Sequence, residues 1–191
     1  MERPEPVFIG FFPKHTEPGA LLKQPGIEEI CSVSECMSQG PKNWVERWRH
    51  NTMTWLYDTE AAAVQMTVGE VGRCDLYAYR VFPVLFDGAD ETPVPMPVVD
   101  EPSLGDYEFL GYDVVENIIG GPGGCSPLSC NGGCEVFRVN RYCLLDDLDY
   151  AWETCARIAT EAAQEGAWEP GPYYLVEVLR KRRAPAGKAR K

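Results

Sequence analysis

Alternation of polar and apolar side chains with period two predicts the strands of this chain. The clearest case covers residues 75–85, where Tyr77, Tyr79 and Val81 share one face and mostly apolar side chains share the other. Because both faces are largely apolar, we expect this strand in the middle of a sheet. Short apolar or β-branched runs predict four more strands, over residues 7–12, 112–119, 135–139 and 173–179.

Two longer segments have helical spacing instead. The first covers about residues 41–58, and its tryptophans recur on one face, which predicts a buried stripe made of Trp44, Trp48 and Trp55. The second begins near Asp146 or Asp147, either of which can cap a helix, and ends at Gly166. Its apolar residues follow the i, i+3, i+4 pattern for about four turns.

Together these elements predict an α+β domain, in which a single mixed sheet of about five strands is covered by two main helices. A short helix over residues 60–66 and an irregular, proline-rich connection over 86–105 complete the expected pattern. Residues 1–179 are expected to form one domain, because a chain of 191 residues suits a single core. The segment 180–191 holds seven of the 18 basic residues and no acid, which predicts a disordered basic tail.

Acidic residues dominate the rest of the chain, and the formal net charge of the whole chain is −11. Between Arg80 and Arg138 there is no lysine or arginine, although ten acids lie in that span. Such a surface repels nucleic-acid phosphates and attracts a basic protein. The sequence therefore favours an acidic binding protein, such as an immunity protein or another inhibitor, that docks a basic partner. The expected contact residues are Asp87, Asp90, Glu91, Asp100, Glu101, Asp106 and Glu108.

The expected location is the cytoplasm. The first residues lack the basic start and the apolar run of about 7–15 residues that a secretory signal needs. No stretch approaches the roughly 18 apolar residues of a membrane span, so we expect no membrane contact. In a reducing cytoplasm the eight cysteines would be thiols.

Half of the cysteines lie in or just after a glycine-rich segment. These are Cys125, Cys130, Cys134 and Cys143. Four thiolates can bind Zn²⁺, but only the first pair has a spacing that zinc sites use, and then at the loose limit. Unliganded thiols without any cofactor are the leading expectation, and a zinc-stabilised structural domain and a redox pair or disulfide stay open. Cys31 and Cys36 form a second pair with the same spacing and could complete a site in space.

An enzymatic alternative rests on the order of three residue types. Arg80 lies on an early strand, Ser126 or Ser129 in the middle of the chain, and Glu177 on the last strand. This order resembles that of the ADP-ribosyltransferase-like folds. The resemblance implies a small transferase that uses a nucleotide or NAD, with the arginine on a phosphate and the glutamate beside the ribose. The sequence thus leaves a binding protein, a transferase and a metal-stabilised domain open.

Overall fold

The computed structural model describes residues 3–34, 36, 40, 54–68, 74–96, 99–120 and 124–182. Within them lie eight strands, which are β1 (Val7–His15), β2 (Glu17–Pro18), β3 (Glu29–Ile30), β4 (Cys74–Val81), β5 (Val84–Asp87), β6 (Asp90–Pro93), β7 (Tyr107–Glu116) and β8 (Tyr173–Lys181). The α-helices in this part of the chain are α1 (Glu60–Gln65), α2 (Pro127–Cys130) and α3 (Leu148–Glu165). Two 3₁₀ turns cover Gly19–Leu22 and Gly133–Glu135.

The last strand, β8, lies at the centre of the main sheet. It pairs with β4 and β5 along one side and with β7 along the other. β1 extends the sheet beyond β4, and β6 extends it beyond β5. All of these pairings are antiparallel, as is that of β2 with β3 in a separate two-stranded sheet. The α+β class is confirmed, but the main sheet is antiparallel and has six strands where a mixed sheet of about five was predicted.

The central position predicted for residues 75–85 is confirmed, because β4 lies between β1 and β8. The structure divides the predicted strand into β4 and β5. Pro83 lies between them and has no N–H to donate to a neighbouring strand. After β4 ends, Val84 N bonds Phe82 O at 2.7 Å, and this tight turn redirects the chain into β5. The proline-rich connection is also more regular than predicted, because β5 and β6 form a hairpin in which Asp87 faces Asp90.

The strand predicted over residues 135–139 is wrong. Its backbone donors are used locally, since Phe137 N bonds Gly133 O at 2.8 Å and Arg138 N bonds the hydroxyl of Tyr150 at 2.9 Å. A residue farther along the chain lies beside β7 instead. Leu145 and Tyr112 exchange both backbone hydrogen bonds, at 2.8 and 2.9 Å.

The second predicted helix is confirmed as α3. The Asp147 carboxylate caps it by accepting from Tyr150 N at 2.9 Å, and Gly166 ends it in the left-handed conformation. Trp152 of this helix packs against the rings of Phe82 and Phe86, so α3 covers one face of the sheet. No helix among the described residues is long and apolar enough to cross a membrane.

Most of the first predicted helix, residues 41–53 with Trp44 and Trp48, lies outside the described residues. Its predicted end is wrong, because residues 54–58 are not helical. Tyr57 instead exchanges backbone hydrogen bonds with Phe11 of β1, and the buried Trp55 ring packs edge-on against Phe12. The predicted short helix is confirmed as α1, with Thr59 capping it through Ala62 N at 3.2 Å.

The predicted tail begins two residues too early. Arg180 and Lys181 belong to β8, and the Arg180 guanidinium is buried between the carboxylates of Glu29 and Glu108. Buried charges require such partners, so these two acids hold the end of β8 in the sheet. Residues 183–191 of the predicted tail lie outside the described part of the chain.

Gly111 should be indispensable to this fold, because its φ is +144° and its backbone passes close to the segment after α2. A Cβ there would lie 2.8 Å from both Leu144 Cβ and Leu145 O. We expect Gly111→Ala to lower the free energy of unfolding in urea by about 2 kcal/mol or more. Gly105→Ala is the control, since its nearest neighbour would be Ser103 Oγ at 3.8 Å. Equal stability of the two variants would contradict this account.

Candidate functional site

Three cysteine sulfurs meet at one side of the main sheet. The Sγ atoms of Cys36, Cys125 and Cys130 all lie within 4.8 Å of one another, and those of Cys36 and Cys125 are 3.8 Å apart. Cys36 is exposed, whereas Cys125 and Cys130 are half-buried. We call these three residues the thiol cluster.

The turn α2 positions two of the three sulfurs. Glu116 N bonds Cys125 O at 3.0 Å, so the chain enters α2 alongside the end of β7. Gly124 is required at this approach, because a Cβ would lie 1.2 Å from Glu116 O. Pro127 starts the turn, and Cys130 N bonds Ser126 O at 2.8 Å. Cys125 precedes this turn and Cys130 ends it, and the turn brings their sulfurs within 4.8 Å of each other.

A buried lysine holds the loop that leads to Cys36. The Lys14 ammonium donates to the backbone carbonyls of Ser32 and Ser34, the latter at 2.9 Å, and Val33 O lies 3.5 Å away. The Lys14 side chain is fully buried. A buried ammonium is tolerated only where it is hydrogen-bonded, so its charge favours the conformation that turns these carbonyls inward.

The Asp113 carboxylate joins the two segments that carry the cluster. One oxygen accepts from Val33 N at 2.6 Å, and the other accepts from the Ser126 hydroxyl at 2.6 Å. Asp113 is fully buried. Burial raises the pKa of Asp113 to about 7, although both hydrogen bonds oppose the shift. This group therefore changes protonation near neutral pH.

Hydroxyls and a second thiol surround the Cys130 sulfur. Ser34 Oγ lies 3.2 Å from it and Ser129 Oγ 3.7 Å, while Ser129 also donates to Ser32 Oγ at 2.9 Å. Hydrogen bonding from the Cys125 thiol lowers the pKa of Cys130 to about 5, against the effect of burial. The same contact raises the pKa of Cys125. Of these two sulfurs Cys130 therefore loses its proton more readily, and the thiolate is the form that binds metals.

The structure divides the four cysteines that the sequence nominated as zinc ligands into two pairs: Cys125 and Cys130 belong to the thiol cluster, and the Cys134 and Cys143 thiols contact each other elsewhere. Cys134 and Cys143 lie in the core with Leu128 and Phe137, and Cys143 Sγ is directed at Leu128 O at 3.6 Å. Burial raises the pKa of Cys143. The third sulfur of the thiol cluster is that of Cys36, which belongs to the second cysteine pair of the sequence, Cys31 and Cys36. Its partner in that pair, Cys31, lies buried in the core and receives the Tyr77 hydroxyl at 3.6 Å.

The residues of the transferase alternative are only partly assembled. Arg80 and Glu177 are direct partners across β4 and β8, and their side chains pair at 3.1 Å. Glu101 lies 3.4 Å from the same guanidinium, so acids of the fold already surround Arg80. Ser129 does not join them. Ser126 instead donates to Asp113. Asp113 and its neighbour Tyr112 point to opposite faces of β7, and Tyr112 is the residue that pairs with Glu177. Ser126 therefore lies on the other face of the sheet from Glu177.

Several of the predicted contact acids have partners within the fold. Glu91 accepts from the Trp152 indole at 2.9 Å, Glu101 pairs with Arg80, and Glu108 pairs with Arg180. The remaining acids of that set are exposed, and these are Asp87, Asp90, Asp100 and Asp106. The acidic charge that faces solvent is therefore smaller than the sequence count suggests.

An acidic cleft of about 460 Å³ lies beside α1. Its charged lining residues are Asp58, Glu60, Asp100 and Glu101. Burial acts to raise the pKa of Glu60, but hydrogen bonds from Lys181 and Tyr107 outweigh it and lower the pKa. Glu60 is therefore ionised, but Lys181 offsets its charge, as Arg80 does that of Glu101, so the cleft is less negative than its four acids suggest.

Comparison of the chain with protein-family models, with curated proteins and with solved structures gives no match. The geometry described above is therefore the basis for a functional assignment.

Asp113 should make stability depend on pH. Its folded-state pKa of about 7 lies above the ordinary value of about 3.9, so the folded protein binds this proton more tightly between those values. The stability that Asp113 contributes should be complete below about pH 4 and should be lost as the pH rises towards 7. In EDTA, the free energy of urea unfolding should fall over this window in the wild type relative to Asp113→Asn. Parallel pH profiles would contradict the prediction.

Proposed function

We propose that this protein is a zinc-binding domain in which the thiol cluster, Cys36, Cys125 and Cys130, holds one Zn²⁺. The observation that carries the proposal is the spacing of the sulfurs. Zn–S bonds of about 2.3 Å in a tetrahedron place neighbouring sulfurs about 3.8 Å apart. Cys36 and Cys125 are separated by 3.8 Å, and Cys130 is within 4.8 Å of both.

The surroundings of the cluster support the same proposal. Bound thiolates are usually oriented by hydrogen bonds from a second layer of residues. The Ser34 hydroxyl lies 3.2 Å from the Cys130 sulfur and can supply such a bond. A sulfur ligand set selects zinc and other thiophilic ions over magnesium or calcium, which prefer oxygen.

The cluster supplies three ligands, so a tetrahedral ion would keep a fourth position. Among the described residues no further histidine, cysteine or acid belongs to this group. Three protein ligands with a fourth from solution is the arrangement that zinc enzymes use, whereas purely structural sites fill all four positions. Because Cys36 is exposed, water or a small ligand could occupy that position.

The metal would also stabilise the fold. It would cross-link the loop that bears Cys36 to the α2 turn, and these lie 89 residues apart along the chain. Metal affinity then adds to the free energy of unfolding, because the unfolded chain has no preformed site. We further propose a reducing location such as the cytoplasm, in which the eight free thiols of this chain would persist.

Purified protein should bind about one zinc ion per chain, as measured by elemental analysis after dialysis against a weak chelator. Cys125→Ser and Cys130→Ser should each lower the zinc affinity at least about tenfold, because each removes a ligand. Cobalt(II) in place of zinc should give sulfur-to-metal charge-transfer absorption that weakens in the same variants.

Cys74→Ser is the matched control for this experiment. Cys74 is half-buried at the start of β4 and does not belong to the thiol cluster. This variant should bind zinc as the wild type does. Zinc at less than about a tenth of an ion per chain in the wild type would overturn the proposed function.

The acidic cleft supports a second candidate, the docking of a basic protein as an immunity protein or inhibitor does. Asp100 and Glu101 of the predicted contact set meet Asp58 and Glu60 in its lining. Carboxylates of one sign in a concave surface focus the field and speed the encounter with a cationic partner. A lysine or arginine side chain of the partner would fit this cleft.

The second candidate predicts binding that depends steeply on salt. A lysine decapeptide should bind at low ionic strength and be released as screening increases. Asp100→Asn should weaken this binding severalfold more than Glu153→Gln, which removes one exposed charge from α3. Isothermal titration at several salt concentrations measures the effect, and equal losses in the two variants would exclude the cleft as the docking site.

A further inference from the structure

We propose that the thiol cluster is a peroxide-sensitive switch, in which a hydroperoxide links Cys36 and Cys125 in a disulfide and thereby releases the metal. The release of metal rests on the proposed zinc function. The formation of the disulfide rests only on the positions of the two sulfurs.

Geometry selects this pair of sulfurs. Cys36 is the exposed member of the cluster, so an oxidant from solution reaches it first. The Cys125 sulfur lies 3.8 Å away, at van der Waals contact. A disulfide requires about 2.05 Å, so the sulfurs must close by less than about 2 Å. The Cys36 side chain lies at the surface, where such a movement displaces few packed atoms.

Although its pKa is lowered, Cys130 is less suited to the first step, because a peroxide from solution reaches its sulfur less easily than that of Cys36. It is more enclosed than Cys36, and the hydroxyls of Ser34 and Ser129 lie against its sulfur. The other thiols are outside the cluster. Cys74 is half-buried, and four more are buried: Cys31, Cys134, Cys143 and Cys155. Oxidation should therefore begin at one position rather than spread over the eight cysteines.

The chemistry has two steps. The Cys36 thiolate attacks one oxygen of the hydroperoxide, so that an S–O bond forms, the O–O bond breaks, and the leaving oxygen departs as water or an alcohol after taking a proton. The Cys125 thiol then gives up its proton as its sulfur attacks the Cys36 sulfur, so that the S–S bond forms and hydroxide leaves, taking that proton to become water. The two sulfurs lose two electrons in total, and the peroxide gains them.

Loss of two ligands would leave Cys130 alone on the metal. A disulfide sulfur is no longer a thiolate and does not hold zinc, so the ion would dissociate. The fold would survive this change, because Asp113 and Lys14 anchor the same segments without sulfur. The switch would thus change the surface around Cys36 and leave the sheet intact.

The test treats the zinc-loaded full chain with hydrogen peroxide and follows two signals. A chromogenic chelator reports released zinc, and peptide mass spectrometry after alkylation of free thiols identifies each disulfide. We expect one zinc ion released for every two thiols consumed, and a linkage between Cys36 and Cys125. A phosphine reductant should restore the free thiols of both residues.

Variants make the outcome specific. Cys36→Ser should slow the peroxide-driven loss of thiols at residues 125 and 130 by about tenfold or more, because the exposed nucleophile is gone. Cys74→Ser should react as the wild type does. A disulfide between Cys125 and Cys130, or Cys36 oxidised to a sulfinic acid without any disulfide, would overturn the switch.

The two proposals fail in different ways. If the chain binds no zinc but peroxide still joins Cys36 to Cys125, the zinc function fails and the thiol switch stands without its metal. If zinc binds and stays bound while Cys36 and Cys125 become linked, the release of metal is refuted. If zinc binds and peroxide does not join these residues, the switch is refuted and the zinc function stands.

Discussion

A single buried carboxylate determines how the two thiol-bearing segments meet. Asp113 accepts hydrogen bonds from Val33, which is 80 residues away, and from Ser126, which is 13 residues away. An ionised carboxylate in an apolar interior is costly, and two donors together with the nearby charge of Lys14 offset part of that cost. The cluster is consequently positioned by polar contacts in the core, and its sulfurs converge without a disulfide between them.

Local patterns in the sequence predict most of the main sheet, and they do so for a physical reason. Alternation over residues 75–85 reports burial on both faces, and the structure places β4 between two other strands. The cap and apolar stripe of α3 are likewise local. The predicted strand over 135–139 fails because its donors are taken by Gly133 and Tyr150, and composition does not encode such partners.

The candidate site was less predictable. Cys125 and Cys130 stand out because the four residues between them give a spacing that zinc sites use, but nothing local indicates that Cys36 would join them across 89 residues. The same limit applies to charge. From the sequence, Glu101 and Glu108 are expected to be available to a partner. In the fold, Glu101 pairs with Arg80 and Glu108 pairs with Arg180. Ion pairs and metal sites depend on long-range contacts, which a residue pattern does not contain.

The borders of the sheet explain part of this unusual composition. Backbone groups of Tyr57 pair with β1, and those of Leu145 pair with β7, so two outermost strands already have loop partners. The remaining border strand, β6, is short and presents Asp90, Glu91 and Pro93. Like charges and a missing N–H prevent another chain from adding a strand there. Some of the acid excess thus protects the molecule from stacking into fibrils, whatever else it binds.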